Sequence, residues 1–237
     1  MDIKIIYEDD DLLVVDKPAG IVVIPELIDE LIKRYPELGA VGEPPRYGIV
    51  HRLDKDTSGV LLAAKTSESL IFLQNQFSPY GGSPEGRINT IEKKAEKRYI
   101  ALVEGNIKDD TGIIHTLIGR APGDKRKQKA YLLNEIGPGK REAITEYKVL
   151  ERFKEYTLLE VEIKTGRKHQ IRCHLSYIHH PIAGDKMYGF KNSPTPEGLI
   201  RQFLHAEYLK IKILSGEIKE FKSKLPEELN NILKNLD

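Results

Sequence analysis

Residues 48–64 constrain this chain more than any other stretch. Ile49 and Val50 lead into a polar segment, His51 to Ser58, and the apolar run Val60 to Ala64 follows it. Short apolar runs bounded by turn formers read as strands. Asp56, Thr57, Ser58 and Gly59 are turn formers, because their side chains bond local backbone or, for Gly, tolerate positive φ. The reading is strand, tight turn, strand, with Asp54 at the turn. A carboxylate on a stiff support can act as nucleophile, general base or metal ligand. It can equally do no more than cap the turn.

The chain has 237 residues, enough to bury a real core. Lys and Arg total 37 against 36 Asp and Glu, a net charge of +1, so global charge gives no sign of a nucleic-acid partner. Its distribution gives more. No acidic residue occurs from Ile163 to Gly184, a stretch that carries Lys164, Arg167, Lys168 and Arg172. Arg120, Lys125, Arg126, Lys127 and Lys129 form a second cluster, broken by Asp124. Such clusters can neutralise phosphates on a near-neutral protein, or be solvated faces. Cys173 is the only cysteine, which excludes an intramolecular disulfide and a cysteine-rich zinc site. The histidine spacings do not match the i, i+4 pair of a helical zinc site, so no metal is expected. No apolar run reaches spanning length, and the expectation is a soluble cytoplasmic monomer with no membrane association.

Ile3 to Tyr7 and Leu12 to Asp16 read as strands joined by an acidic turn. Leu27 to Tyr35 has helical spacing and stops at Pro36. Ser67 to Phe77 reads as a helix with Thr66 as its N-cap. Ser78 to Arg87 is rich in Pro and Gly and reads as a loop. Further strands are expected at Tyr99 to Val103, Ile113 to Ile118, Ala143 to Phe153 and Tyr156 to Thr165, with a basic connection over Gly119 to Gly139 that is partly an irregular hairpin. Lys168 to Ile178 has helical spacing. A hairpin around Ser215-Gly216 and a helix over Pro226 to Leu236 end the series. Strands dominate without regular βαβ alternation, so the expected class is α+β, one domain over 1–237.

Taken together, six segments resemble a known family in order. Asp16-Lys17-Pro18-Ala19-Gly20 through Val23, His51-Arg52-Leu53-Asp54 with Thr57-Ser58-Gly59, Lys97-Arg98-Tyr99 through Gly105, Lys164-Thr165-Gly166-Arg167-Lys168-His169-Gln170-Ile171-Arg172 through Leu175, His180-Pro181 through Asp185, and Leu204-His205-Ala206 resemble the motifs of the RluA-type RNA pseudouridine synthases. The resemblance covers residues 3 to 220 and carries no preceding S4-like domain. It implies a mixed, largely antiparallel sheet, flanked by helices and split by a central cleft. It also implies an isomerase that needs no cofactor and acts on a stem-loop of ribosomal RNA or tRNA. Asp54 would be the catalytic carboxylate, Arg172 the arginine that pairs with it, and Tyr99 the aromatic stacked on the uracil. Arg52, Arg167, Lys168 and His169 would face RNA, although Lys168 stands where many members carry Thr. Leu53 and Leu175 would wall the pocket. The residues alone leave Tyr99 open as a core aromatic and Arg172 as a helix-surface phosphate contact. A non-catalytic RNA-binding protein is the rival class. A glycosidase using Asp54 would need a second carboxylate as acid, which no second motif supplies.

Overall fold

The computed structural model describes residues 3–77 and 95–236, so the expected loop over 78–87 lies outside the described residues. In chain order the elements are β1 (Lys4–Glu8), β2 (Leu12–Lys17), α1 (Ile28–Arg34), β3 (Ser58–Ala64), α2 (Ser67–Phe77), β4 (Glu96–Glu104), β5 (Thr111–Ala121), β6 (Asp124–Tyr131), β7 (Arg141–Arg152), β8 (Tyr156–Ile163), α3 (Gln170–Tyr177), β9 (Leu204–Lys212), β10 (Ile218–Lys222) and α4 (Glu227–Lys234). Strands set apart from helices, without βαβ crossovers, make this an α+β fold. The chain divides into two compact units, each made of two sequence-distant segments: Met1–Lys97 with Ala206–Lys224, and Arg98–His205 with Leu225–Asp237.

In the first unit the strand order is β1-β2-β3-β9, with β10 paired to β9. β1–β2, β2–β3 and β9–β10 are antiparallel. Every residue of β3 is buried, which is why its sequence is an unbroken apolar run rather than an alternating one. Leu70 and Leu73 of α2 pack in one core with Leu12, Val14, Val60, Leu62, Leu209 and Phe221. The Ser69 N–H donates to Thr66 Oγ1 at 3.1 Å, the cap that the sequence calls for. Gly59, the second residue of β3, sits at φ +117°, and a Cβ there would lie 2.2 Å from the Ala206 carbonyl oxygen. Only glycine lets these two backbones approach so closely.

In the second unit the order is β4-β8-β7-β5-β6, each pair antiparallel. The basic connection after Gly119 begins with an irregular hairpin, as expected: Gly119 to Ala121 extend β5, Pro122-Gly123 turn into β6, and the register shifts between Arg120 and Ala121. Along β6, Lys125 and Lys129 are exposed and Lys127 is half-buried. Helix α3 begins at Gln170, two residues later than its spacing suggests, because His169 takes the left-handed conformation at φ 55°. Cys173 of α3 packs with Ile118, Ala130, Ala143 and Tyr188.

Candidate active site

Asp54 lies in the irregular segment between the isolated bridge Ile49–Ala63 and the start of β3. The expected strand before the turn is therefore reduced to a single bridge. What holds this segment is Lys17, whose side chain is fully buried. Its ammonium donates to the carbonyls of Pro18 at 2.8 Å, Ile21 at 2.9 Å and Lys55 at 3.0 Å. A buried charge is tolerable only when its protons are all taken up, and three carbonyl dipoles do that. Lys55 O also accepts the Gly20 N–H at 3.0 Å, and Asp54 O accepts the Thr57 N–H at 3.1 Å. Asp54 thus stands on backbone clamped from both sides. Arg52 is exposed, Asp54 half-buried, and Leu53 buried in the same segment.

The His51 ring stacks on Phe77 at 4.7 Å, and its Nε2 accepts the Leu62 N–H at 3.2 Å. Burial, with the Lys97 ammonium, pushes its pKa down to about 3. His51 is therefore neutral at pH 7 with its proton on Nδ1, and supports the segment as packing.

In the second unit, Tyr99 is buried on β4, paired in register with Val161. Leu175 is fully buried on α3. Arg172 is only 7% exposed, which removes the helix-surface phosphate reading. Its Nε donates to Asp185 Oδ2 at 2.7 Å and its Nη2 to Asp185 Oδ1 at 2.9 Å. The Nε and Nη2 edge of Arg172 is thus held side-on by Asp185. Oδ1 of Asp185 also accepts the backbone N–H of Met187 at 2.9 Å and of Tyr188 at 3.0 Å. Burial works against this charge, yet the guanidinium and the two N–H groups hold the Asp185 carboxyl below its ordinary value. The Arg172 guanidinium lies 5.1 Å from the Tyr188 ring centroid. The Tyr188 hydroxyl accepts the Gln128 N–H of β6 at 2.7 Å and meets His169 Nδ1 at 3.0 Å. Sequence reasoning left Asp185 and Tyr188 without roles. One signal was present: Asp185 is the first acid after the acid-free stretch 163–184.

Of the residues expected to face RNA, Arg52 and Lys168 are exposed. Arg167 is differently engaged. Its Nε donates to the Glu142 carbonyl at 2.8 Å and its N–H to Gln170 Oε1 at 2.9 Å, so it closes the start of α3. His169 is half-buried against Tyr188. His174 is fully buried, its Nδ1 2.8 Å from Thr145 Oγ1 and its Nε2 3.0 Å from Thr116 Oγ1. Burial, then His115, pushes it down to about 4, which makes it a satisfied core histidine.

A family model described as RNA pseudouridylate synthase matches residues 11–177, well over half of the 237-residue chain. The chain belongs to the RNA pseudouridylate synthase family. An uncharacterised RNA pseudouridine synthase of Aquifex aeolicus is 42% identical over 207 residues, covering 84% of this chain and 60% of the relative. One of Bacillus subtilis is 38% identical over 244 residues, covering 100% and 73%. The ribosomal large subunit pseudouridine synthase D of Nitrosomonas europaea is 40% identical over 245 residues, covering 98% and 64%. The chain spans 60 to 73% of the length of these relatives. Among solved structures, human RNA pseudouridylate synthase domain containing 4 shares the fold, with TM-score 0.74 and 24% identity over 99% of this chain and 94% of that one. Asp54, Tyr99 and Arg172 all fall within the matched residues.

Proposed function

We propose that this protein is an RNA pseudouridine synthase that isomerises uridine in large-subunit ribosomal RNA, with Asp54 as the catalytic carboxylate. The observation that carries the reading is the clamped segment around Asp54: a buried lysine holds a half-buried carboxylate on rigid backbone inside the stretch that the family model matches. The ribosomal target is supported by the relatives named ribosomal large subunit pseudouridine synthase D in Nitrosomonas and Xanthomonas.

The reaction breaks the N1–C1′ bond and joins C5 to C1′. The C5 proton is lost and N1 gains one, so atoms balance without a redox partner or group donor. Asp54 acts as nucleophile or base on the uridine, a role shared with the carboxylates that work at anomeric carbons. Tyr99 stacks on the base, and Arg172 supports the charge on Asp54. Arg52, Lys168 and His169 contact the RNA backbone, and Leu53 and Leu175 keep water from the base. The uridine is extruded from a stem-loop, since neither C1′ nor C5 is reachable within a stack.

Tritium release from RNA carrying 5-tritiated uridine tests the reading. Asp54→Asn should abolish release while RNA affinity and unfolding midpoint stay near wild type. Release within tenfold of wild type removes Asp54 from the chemistry. Parallel assays on 23S-type ribosomal RNA fragments and on tRNA transcripts decide the target. Turnover confined to tRNA overturns the ribosomal assignment.

A further inference from the structure

The second unit contains a run of buried polar side chains that the reaction does not use. Thr165 Oγ1 accepts the Ile144 N–H at 3.1 Å and donates to Gln170 Oε1 at 2.8 Å. Gln170 Nε2 donates to Ile144 O and to Thr145 Oγ1, both at 3.0 Å. Thr145 Oγ1 and His174 Nδ1 are 2.8 Å apart, and His174 Nε2 and Thr116 Oγ1 are 3.0 Å apart. The Thr116 hydroxyl reaches Leu117 O at 3.4 Å.

The directions of these bonds can be worked out from the donors. Gln170 fills one acceptor site of Thr145 Oγ1, and the single Thr145 proton has His174 Nδ1 as its partner. So Nδ1 accepts, and the imidazole proton is on Nε2. That proton goes to Thr116, which passes its own to Leu117 O. Every donor in the chain then has an acceptor, from β7 through α3 to β5. Reversing the His174 tautomer would leave the Thr145 proton with nowhere to go, which is costly in a dry site.

Gln170 and His174 are four residues apart on α3 and lie on one face of it. Arg172 lies about 200° around the helix from Gln170. The network therefore fixes the rotation of the helix that carries Arg172 to Asp185. A rotation of about 10°, at a side-chain radius of about 5 Å, moves a tip by about 1 Å. A misplacement of about 1 Å can cost a factor of about 10² in rate.

We propose that Gln170 and His174 are positioning residues, their buried bonds to Thr145 and Thr116 setting the rotation of α3 and hence the aim of Arg172. The inference rests on the pseudouridine synthase reading for its kinetic consequence, and on geometry alone for its structural one.

The decisive variant replaces the chain by apolar groups of similar shape, Thr116→Val, Thr145→Val and His174→Leu together. Removing both threonine hydroxyls and the imidazole together leaves no half of their mutual bonds behind, and Gln170 Nε2 keeps Ile144 O, so stability should be near wild type. The single-turnover rate of tritium release should fall about 10- to 100-fold, with RNA affinity unchanged. A wild-type rate overturns the proposal. Should that variant not fold, two resonances of the folded proteins carry the test. In wild type, ¹⁵N spectra should show His174 Nδ1 unprotonated, and a protonated Nδ1 overturns the bond directions. In Thr145→Val, the Arg172 Nε–H resonance should move from its wild-type position, and an unmoved one overturns the positioning. Wild type without activity on any RNA would instead remove the synthase reading, and the two resonances would still judge the geometry.

Discussion

At Arg172 the shape of the cation counts for more than its charge. A guanidinium can meet both oxygens of Asp185 in one plane, while an ammonium is a point charge on a flexible stem. Arg172→Lys should therefore lose at least tenfold in tritium release. Arg172→Ala should also lose about 3–5 kcal/mol in urea unfolding, because it leaves the buried Asp185 carboxylate without its cation. Asp185→Asn is the sharper probe, since that residue is assigned no substrate contact. It should lower the rate as much as Arg172→Lys, and a wild-type rate would show that the fork does not aim Arg172. Lys17 gives a second prediction. Lys17→Met keeps the length of the side chain but removes the donor to Pro18 O, Ile21 O and Lys55 O. Lys55 O keeps the Gly20 N–H, while Pro18 O and Ile21 O lose their Lys17 donor, at about 1–3 kcal/mol each. The variant should unfold at lower urea. At temperatures where it is folded it should still turn over at least tenfold more slowly, because Asp54 is no longer clamped. Full turnover in folded protein would show that the cradle serves stability alone.

Among the elements, the β5–β6 hairpin carries the most testable claim. Lys125, Lys127 and Lys129 lie along β6, the first and last exposed and Lys127 half-buried, and Arg120 is exposed on β5. Arg126 is instead engaged by Asp124 through both its Nε and Nη2. Replacing the three lysines by Ser should lower RNA affinity and flatten its salt dependence by about 0.7 to 0.9 in the log–log slope per lost phosphate contact. Replacing Arg126 should change the slope little, and equal slopes for wild type and the triple variant would mean that the hairpin faces solvent. This hairpin was legible only in part. Its Gly and Pro signalled an irregular hairpin, and the register does shift beside Pro122-Gly123, but they did not mark where β5 and β6 begin and end. By contrast, the bounds of α2 were legible from Thr66 and the apolar spacing, and β3 from its continuous apolar run. The segment before Asp54 was over-read as a strand because Ile49-Val50 look like one, yet their backbone is diverted into an irregular support. Asp185 and the Gln170–His174 chain escaped notice for a different reason. Their partners are far off in sequence, and buried polar pairing across elements leaves no periodic trace.

On the scale of the whole molecule, acid should be the condition that this fold tolerates least. The folded pKa of His174 is held down to about 4 by burial, against 6.5 for an exposed histidine. The unfolded chain therefore binds that proton first. The contribution of neutral His174 is fully present above pH 6.5 and is lost as pH falls toward 4, at about 1.4 kcal/mol per pH unit. His51 acts in the same direction, its folded value lying at about 3. Asp185, whose folded value is lowered, adds its loss only below the ordinary carboxylate value of 3.8. Urea midpoints measured from pH 8 to pH 4 should fall from pH 6.5 downward, and His174→Leu should make that fall shallower. A flat midpoint between pH 6.5 and pH 5 would show that neither ring is kept neutral by burial. The interleaving of the two units has a consequence in time. Strand β3 has β2 on one side but takes β9 on the other, and β9 belongs to the segment that begins at Ala206. A ribosome that has finished β3 must first make the whole of 65–205, which at about 5–20 residues per second takes roughly 7–28 s. Throughout that interval the most apolar strand of the nascent chain offers an open edge to whatever meets it. The speed of translation through the middle of the message, and the chaperones waiting at the exit tunnel, then govern how much of this protein reaches its fold.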